Sequence, residues 1–190
     1  MMQEAVPSLT DVRFHGRGGQ GVVTASKILA EAAILEKKWV HAFPTFGPER
    51  SGAPVAAFTR ISPTKFTVKT EVYNPKIIVV IDPTLLSKPE TYEGLVEGGI
   101  LVLNSATEPK KEDYPPQAGE IWWVNGNEIA NKHIGRTIAN TVMLGALVKA
   151  TGLVSLDSIL KALGSYFKGD IYDKNVAAIK EAYEEVKKVE

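Results

Sequence analysis

Four glycines within six residues form the stretch of this chain whose residue types and spacing best suit ligand binding. From residue 16 to residue 21 the sequence reads Gly16-Arg17-Gly18-Gly19-Gln20-Gly21. Glycines leave the backbone N–H groups uncovered, and a turn before a helix places those groups at the positive end of the helix dipole. The side chains of Arg17 and Gln20 suit an anionic or polar ligand group. We therefore predict that this glycine turn binds an anion.

The glycine spacing also matches two nucleotide-binding motifs, but the neighbouring residues fit neither of them. Gly16, Gly18 and Gly21 satisfy the dinucleotide fingerprint, yet no acidic residue follows roughly 20 residues later to hold ribose hydroxyls, where the sequence reads Trp39-Val40-His41. Gly16 and Gly21 also have the spacing of a nucleotide-triphosphate loop, but two valines follow instead of lysine and a hydroxyl residue. A tight strand-to-helix turn without a ligand is the remaining alternative.

A second stretch with binding groups lies between residues 44 and 52. It holds two prolines, two glycines, an aromatic residue and the acid–base pair Glu49-Arg50, followed by Ser51 and Gly52. Prolines and glycines make such a loop rigid, and binding groups often collect on rigid loops. The alternative is an ordinary connection whose surface ion pair contributes little to stability. The presence of the glycine turn favours the binding interpretation of this loop.

Strand and helix patterns place both stretches after predicted strands. We predict strands over residues 12–15 and 39–43, with a helix over residues 22–37 between them. Small residues along this helix let it lie close to a sheet. Residues 53–61 and 65–72 have a strand pattern on either side of a short turn and predict an antiparallel hairpin. The sheet is therefore predicted to be mixed.

Apolar runs continue the alternation of strands and helices in the second half of the chain. Residues 77–81 and 100–103 predict buried central strands, and residues 120–124 predict the last strand. Asp82 directly follows the first run and is predicted to cap the next turn. A helix interrupted near Pro89 is predicted over residues 85–96.

Three helices are predicted towards the C-terminus, over residues 128–150, 155–163 and 173–189. Asn125-Gly126-Asn127 is predicted to cap the first of them, and Ser155 the second. The first helix has an almost wholly apolar middle, which indicates that it is buried. Arg136 and Asn140 share one face of it, and they either satisfy core backbone groups or point into a site or interface. We predict a single domain over residues 1–190, with residues 153–190 as its C-terminal helical part.

Composition excludes several classes of function. Lysine plus arginine equals aspartate plus glutamate at 22 each, so no overall field attracts nucleic acid or an anionic membrane. The absence of cysteine excludes disulfides, thiolate nucleophiles and cysteine-bound iron–sulfur clusters in this chain. The three histidines are scattered, so no metal site is predicted. No apolar run approaches the roughly 20 residues of a membrane span, and a cytoplasmic location is expected.

Two motifs give the chain a close resemblance to the gamma subunit of 2-oxoacid:ferredoxin oxidoreductases. They are the run from His15 to Gly21 and the block from Ala42 to Pro54, followed by Ala57-Phe58-Thr59-Arg60-Ile61. The second block resembles the pyruvate or branched-chain 2-oxoacid branch. The match extends nearly from end to end and includes the apolar segment over residues 136–147.

The resemblance implies a three-layer α/β/α domain with a mixed, mostly parallel sheet and C-terminal helices. It also implies a multi-subunit enzyme that converts pyruvate or a related small 2-oxoacid to acyl-CoA by oxidative decarboxylation. Thiamine diphosphate with Mg and the iron–sulfur clusters would belong to alpha, beta and delta-type partner subunits, coenzyme A would be the co-substrate, and ferredoxin would accept the electrons.

The site residues implied by the resemblance are those of the two stretches. The turn over residues 16–21 would hold a phosphate-bearing ligand, Arg17 and Arg50 would pair with its charge, and Glu49, Ser51 and Gly52 would shape the same edge. No residue of the chain is predicted to be catalytic by itself. A stand-alone nucleotide-binding oxidoreductase and a purely structural subunit are the two alternatives.

Overall fold

A single mixed sheet organises the computed structural model of the chain, which describes residues 9–45, 51–67 and 71–190. Within these ranges the sheet has seven strands. The strands are β1 (Thr10–Arg17), β2 (Trp39–Pro44), β3 (Pro54–Ser62), β4 (Ile77–Val80), β5 (Gly99–Asn104), β6 (Ala118–Val124) and β7 (Lys187–Lys188).

The strand order is β2-β3-β1-β4-β5-β6-β7. Strands β1, β4, β5 and β6 pair in parallel, whereas β3 is antiparallel to both β1 and β2, and β7 is antiparallel to β6. Only β3 and β7 of the described strands therefore run against the others. The predicted α/β class with a mixed, mostly parallel sheet is confirmed.

The described residues form five α-helices on one side of the sheet. They are α1 (Val22–Leu35), α2 (Gly126–Ile134), α3 (Val142–Thr151), α4 (Leu156–Leu163) and α5 (Gly169–Glu185). Helices α1 and α3 lie against the strands, whereas α2, α4 and α5 pack mainly on other helices. The apolar residues of the five helices form one buried cluster with Val12 and Phe14 of β1 and Val79 of β4. The C-terminal helices α4 and α5 contribute Ile159 and Ile179 to this same core. No described helix is long and apolar enough to cross a membrane.

The opposite face of the sheet is covered by short 3₁₀ turns, which lie where a helix over residues 85–96 was predicted. The turns are Pro83–Leu85 and Pro89–Tyr92, and each begins with a proline. Leu85 and Tyr92 pack on Ile78 and Leu101 in a second buried cluster. The predicted interruption near Pro89 is present, because proline lacks the N–H that a continuous helix needs, but the predicted α-helix is replaced by 3₁₀ turns.

The predicted hairpin was assigned to the wrong pair of strands. Strand β3 pairs with β2, and Phe43 stacks on its cross-strand partner Phe58 with ring centroids 5.1 Å apart. Residues 65–67 are not in a strand, and residues 68–70 lie outside the described ranges. Of the described residues between 65 and 72, only Val72 is buried, and the aromatic pair joins β2 to β3 instead.

Two further boundaries differ from the prediction. The helix predicted over residues 128–150 is broken at Gly135, which ends α2 in a left-handed conformation with φ 78°. Its apolar middle reflects burial of α3 and not one continuous helix. The helix predicted over residues 173–189 ends at Glu185, and Lys187–Lys188 adds a strand beyond β6, which was predicted to be the last.

Local capping signals were predicted correctly. The Asp82 carboxylate accepts a hydrogen bond from the Thr84 amide at 2.8 Å, at the start of the first 3₁₀ turn. The side chains of Asn125 and Ser155 accept from backbone amides at the starts of α2 and α4. Trp122 and Trp123 pack against different clusters, as expected for adjacent residues of one strand.

Candidate functional site

The glycine turn lies at the carboxyl edge of the parallel part of the sheet. Strand β1 ends at Arg17 and α1 begins at Val22. The neighbouring strand β4 leads directly to Asp82, and the Ile81 amide donates to the His15 carbonyl at 2.7 Å. Ligands of open α/β sheets bind at this edge, because the loops that follow adjacent parallel strands meet there.

Several internal hydrogen bonds fix the shape of the turn. The Gly18 amide donates to the Ala53 carbonyl at 2.8 Å, and the Gly52 amide donates to the Gly18 carbonyl at 3.2 Å. The Gln20 side chain accepts from the Arg17 amide at 2.8 Å and donates to Asp82. Gln20 therefore holds the turn in shape, a structural task that the sequence did not predict.

The Asp82 carboxylate is the buried anchor of this network. Burial raises its pKa, but hydrogen bonds from Thr84 and Gln20 and the nearby charge of Arg17 together outweigh that effect, and the pKa lies below its ordinary value. Asp82 is therefore an anion near neutral pH, and its oxygens are occupied by groups of the protein. Asp82 therefore stabilises the glycine turn through its contacts with Gln20 and Arg17.

The turn leaves the start of α1 open. Gly21 is the N-cap residue, its φ is 71°, no side chain caps the helix, and the first turn has no acidic residue. Within the part of the chain that the structure describes, no hydrogen-bond partner is found for the amides of Gly19 and Gly21. The helices α2 and α4, by contrast, are capped by Asn125 and Ser155.

These open amides border a cavity of about 380 Å³, which we call the turn pocket. Its walls come from the end of β1, the glycine turn, the first turn of α1 and the start of β3, and they consist of Arg17, Gly18, Gly19, Gly21, Val22, Val23, Thr24, Ser51 and Val55. N–H groups at a helix start attract anions through both hydrogen bonding and the helix dipole.

The Arg17 guanidinium is the cation of the turn pocket among the described residues. Its Nε donates to the Thr84 hydroxyl at 3.0 Å, and one terminal nitrogen donates to the Gly52 carbonyl at 3.0 Å. Its Nε also lies 3.7 Å from the Asp82 carboxylate, and its side chain is 30% exposed. The other terminal nitrogen has no partner within the described ranges, and Arg17 lines the turn pocket, so this donor is available to a ligand.

The residues predicted from the second loop are only partly brought to the site. Gly52 bonds to the glycine turn and Ser51 lines the turn pocket. Glu49 and Arg50 lie outside the described residues. Their proposed roles stay predictions.

Asn140 joins the site from the link between α2 and α3. Its side-chain amide donates to the Gly21 carbonyl at 3.2 Å, so this residue points to the turn. A Cβ on Gly21 would overlap that amide, which explains the need for glycine there. Arg136 does not share a helix with Asn140, and it lines a neighbouring cavity of about 400 Å³ with Gly19, Gly21 and Lys174.

A cavity of about 490 Å³, which we call the histidine cleft, lies on the other side of Arg17. Its walls are β1, the start of β3 and the two 3₁₀ turns, and they consist of His15, Arg17, Thr45, Pro54, Val55, Ala56, Leu85, Lys88, Glu90 and Thr91. Sequence reasoning missed this cleft. The available signal was the period of two that puts Arg13, His15 and Arg17 on one face of β1.

Comparison with known proteins identifies the family. A sequence profile described as pyruvate ferredoxin/flavodoxin oxidoreductase matches residues 11–185. The chain belongs to this family. Together with the relatives described next, membership confirms the resemblance to gamma subunits and the expectation that the chain is one subunit of a 2-oxoacid:ferredoxin oxidoreductase.

Relatives within the family match the chain over nearly its whole length. The "pyruvate/ketoisovalerate oxidoreductases common subunit gamma" of Pyrococcus furiosus is 48% identical over 180 residues, which cover 93% of this chain and 96% of that subunit. The "pyruvate synthase subunit PorC" of Methanothermobacter marburgensis is 46% identical over 179 residues, which cover 94% and 98% of the two chains.

Solved structures of the family share the fold. The pyruvate oxidoreductase subunit PORC of Thermotoga maritima matches with a TM-score of 0.83 and 44% identity, over 96% of this chain and 99% of that chain. The gamma subunit of a keto/oxoacid ferredoxin oxidoreductase from Geobacter sulfurreducens matches with a TM-score of 0.77 and 30% identity, over 93% and 95% of the two chains.

Proposed function

We propose that this subunit binds the phosphate groups of coenzyme A in the turn pocket of the assembled oxidoreductase. The observation that carries the proposal is that three features meet at one cavity: the uncapped start of α1, Arg17, and the amides of Gly19 and Gly21, which have no partner among the described residues. Phosphate oxygens accept hydrogen bonds from backbone amides and pair with a guanidinium. The glycine turn over residues 16–21 thus serves as an anion clasp.

The attraction of the turn pocket for an anion comes from backbone groups as well as from side chains. Asp82 partly offsets the charge of Arg17 at 3.7 Å, so Arg17 alone contributes little net positive charge. Arg50 is proposed as a second cation, and Glu49, Ser51 and Gly52 are proposed to shape the edge. The helix dipole of α1 adds to the same field.

The proposed reaction is oxidative decarboxylation of pyruvate or a related 2-oxoacid to acyl-CoA, and this subunit contributes at the active-site interface. Thiamine diphosphate with Mg and iron–sulfur clusters are assigned to alpha, beta and delta-type subunits, and ferredoxin accepts the electrons. The chain contains no cysteine to bind a cluster, and its described residues contain no group of three or more metal-binding side chains. A cytoplasmic complex without membrane or nucleic-acid partners fits the balanced charge.

The experiment is the Arg17→Ala substitution in the assembled enzyme. We expect the KM for coenzyme A to rise several-fold while the KM for the 2-oxoacid stays unchanged, because the lost group pairs with phosphate. Arg50→Ala is expected to act in the same direction. Lys161→Ala, an exposed cation on α4, is the charge-matched control and should leave both constants unchanged.

This experiment and one further titration separate the two alternatives. A purely structural subunit would show an unchanged KM for coenzyme A in both arginine variants. A stand-alone nucleotide-dependent oxidoreductase would bind a nicotinamide or flavin nucleotide as the isolated chain, which a fluorescence titration measures directly. Our proposal expects no saturable binding in that titration.

A further inference from the structure

The histidine cleft lies next to the turn pocket and shares Arg17 and Val55 with it. Its other walls are mixed: Pro54, Ala56 and Leu85 give apolar surface, and the remaining wall residues, among them His15, are polar or charged. A ligand that is anchored at the turn pocket can therefore extend past Arg17 into a second compartment. The two compartments offer different chemistry to the two parts of such a ligand.

The polar centre of the histidine cleft is a pair of residues on β1. The Arg13 Nε donates to His15 Nε2 at 2.7 Å, and an Arg13 terminal nitrogen donates to the carbonyls of Thr91 at 3.1 Å and Glu93 at 2.6 Å. Arg13 is thus fixed between a strand and the 3₁₀ turns. It also fixes the His15 ring.

This contact determines which nitrogen of His15 carries the proton. Arginine only donates, so Nε2 must be the acceptor and the neutral ring carries its hydrogen on Nδ1. No partner for Nδ1 is found among the described residues. His15 therefore offers one N–H donor to a ligand in the cleft.

The ring stays neutral in this setting. Burial lowers the pKa of His15 to about 3, and the nearby charge of Arg13 acts in the same direction. The other charged groups that line the cleft are Arg17, Lys88 and Glu90. A neutral N–H donor beside the apolar surface of Pro54, Ala56 and Leu85 suits an uncharged acceptor such as an amide carbonyl.

We propose that the histidine cleft binds the amide-bearing pantetheine arm of coenzyme A, with His15 donating from Nδ1 to an amide carbonyl of that arm. The assignment rests on the proposed function, in which the phosphates lie at the turn pocket.

The test compares two ligands by isothermal titration of the assembled enzyme without 2-oxoacid. Coenzyme A carries both the phosphates and the arm, whereas adenosine 3′,5′-bisphosphate carries phosphates and no arm. His15→Ala should raise the dissociation constant of coenzyme A by about 3- to 10-fold, the value of one neutral hydrogen bond. The constant for adenosine 3′,5′-bisphosphate should change by less than about twofold.

His15→Gln is the second variant, because it keeps a group that can accept from Arg13 and donate into the cleft. We expect it to recover at least half of the lost binding free energy, which a variant that merely perturbs packing would not do. Equal weakening of both ligands in His15→Ala, or an unchanged constant for coenzyme A, would overturn the assignment.

Arg17→Ala, titrated in parallel, reports on the proposed function separately. It should weaken both ligands, because Arg17 lines both compartments. If both constants are unchanged in Arg17→Ala, the phosphate site itself is misplaced. If Arg17→Ala weakens both ligands and His15→Ala weakens neither, only the assignment of the arm fails.

Discussion

The turn pocket and the histidine cleft share Arg17, yet they are built from different parts of the chain. The turn pocket offers backbone amides at the open start of α1, whereas the histidine cleft offers side chains of β1 and the 3₁₀ turns. One presents partial positive charge and the other a neutral imidazole. The difference shows how adjacent cavities can separate the charged and uncharged parts of one ligand.

The alternation of side chains along β1 produces this difference. Gly16 faces α1, where a Cβ would overlap Val22, so the helix can approach the strand closely. Arg13, His15 and Arg17 face the other side of the sheet. A strand of ordinary alternation therefore serves a backbone site on one face and a side-chain site on the other.

The largest expected effect is that of Gly21→Ala, which breaks the turn pocket alone. Alanine is strained at φ 71° and its Cβ would overlap the Asn140 amide. We expect a loss of about 2 kcal/mol or more in the free energy of unfolding, and loss of adenosine 3′,5′-bisphosphate binding. Urea denaturation of the purified chain and titration of the assembled enzyme measure the two effects.

Gly152→Ala is the matched control for this change. Gly152 also has a positive φ, 60°, but it ends α3 and has open space around its Cα. The Gly152→Ala variant should lose about 1 kcal/mol in the free energy of unfolding, from backbone strain alone. It should bind coenzyme A and adenosine 3′,5′-bisphosphate normally. Equal losses in the two variants would show that Asn140 does not shape the turn.

Gln20→Ala tests whether the turn pocket depends on its internal brace. The substitution leaves the Arg17 amide and one Asp82 oxygen without their partner, at a cost of about 1–3 kcal/mol of stability. It removes no charge, so weaker binding of adenosine 3′,5′-bisphosphate would report lost shape. Gln117→Ala, in an exposed loop, is the control and should change neither quantity.

The parts of the site that could be predicted from the sequence are those whose residues lie close together in the chain. The glycines, the preceding strand and the following helix lie within one short stretch, and the turn was found from them. The contact of Gln20 with Asp82 joins residues far apart in sequence, which no local pattern contains. Gly135 was overlooked because it interrupts an apolar run that one buried helix would also explain.

The fold shows the same limit. The apolar runs at β4 and β5 and the caps at Asp82, Asn125 and Ser155 were predicted from neighbouring residues. The partner of β3 was not, because alternation describes a strand but not the strand beside it. The contact of Phe43 with Phe58 joins β3 to β2, and this contact is visible only in the folded structure.

A pH titration of stability sharpens the description of the histidine cleft. The pKa of His15 is about 3 when folded and near 6.5 when unfolded, so between these values the unfolded chain binds more protons. The free energy of unfolding should therefore fall as the pH decreases from 6.5 towards 3, with a contribution from His15 of at most about 1.4 kcal/mol per pH unit.

His15→Gln should reduce the slope of the free energy of unfolding against pH in this range. The contribution of Glu36 should remain at lower pH, because burial raises its folded pKa but hydrogen bonds from Lys38 and Ser155 outweigh burial and lower the pKa to about 2. Chemical denaturation at a series of pH values measures both slopes. An unchanged slope in His15→Gln would mean that His15 is not held neutral by its surroundings.

The smallest expected effect is the response to salt, which distinguishes the two compartments without mutation. Raising the ionic strength from about 0.05 to about 0.5 M should weaken adenosine 3′,5′-bisphosphate binding, because screening acts on charge pairs. Pantetheine, which carries no charge, should be almost unaffected. Equal responses of the two ligands in competition titrations would contradict the separation of charge between the compartments.

The most direct measurement is a structure of the assembled enzyme with coenzyme A bound. We predict that phosphate oxygens accept hydrogen bonds from the amides of Gly19 and Gly21 and pair with the Arg17 guanidinium. A structure in which bound coenzyme A has no atom within hydrogen-bond distance of residues 16–21 would contradict the central claim that the open start of α1 holds its phosphates.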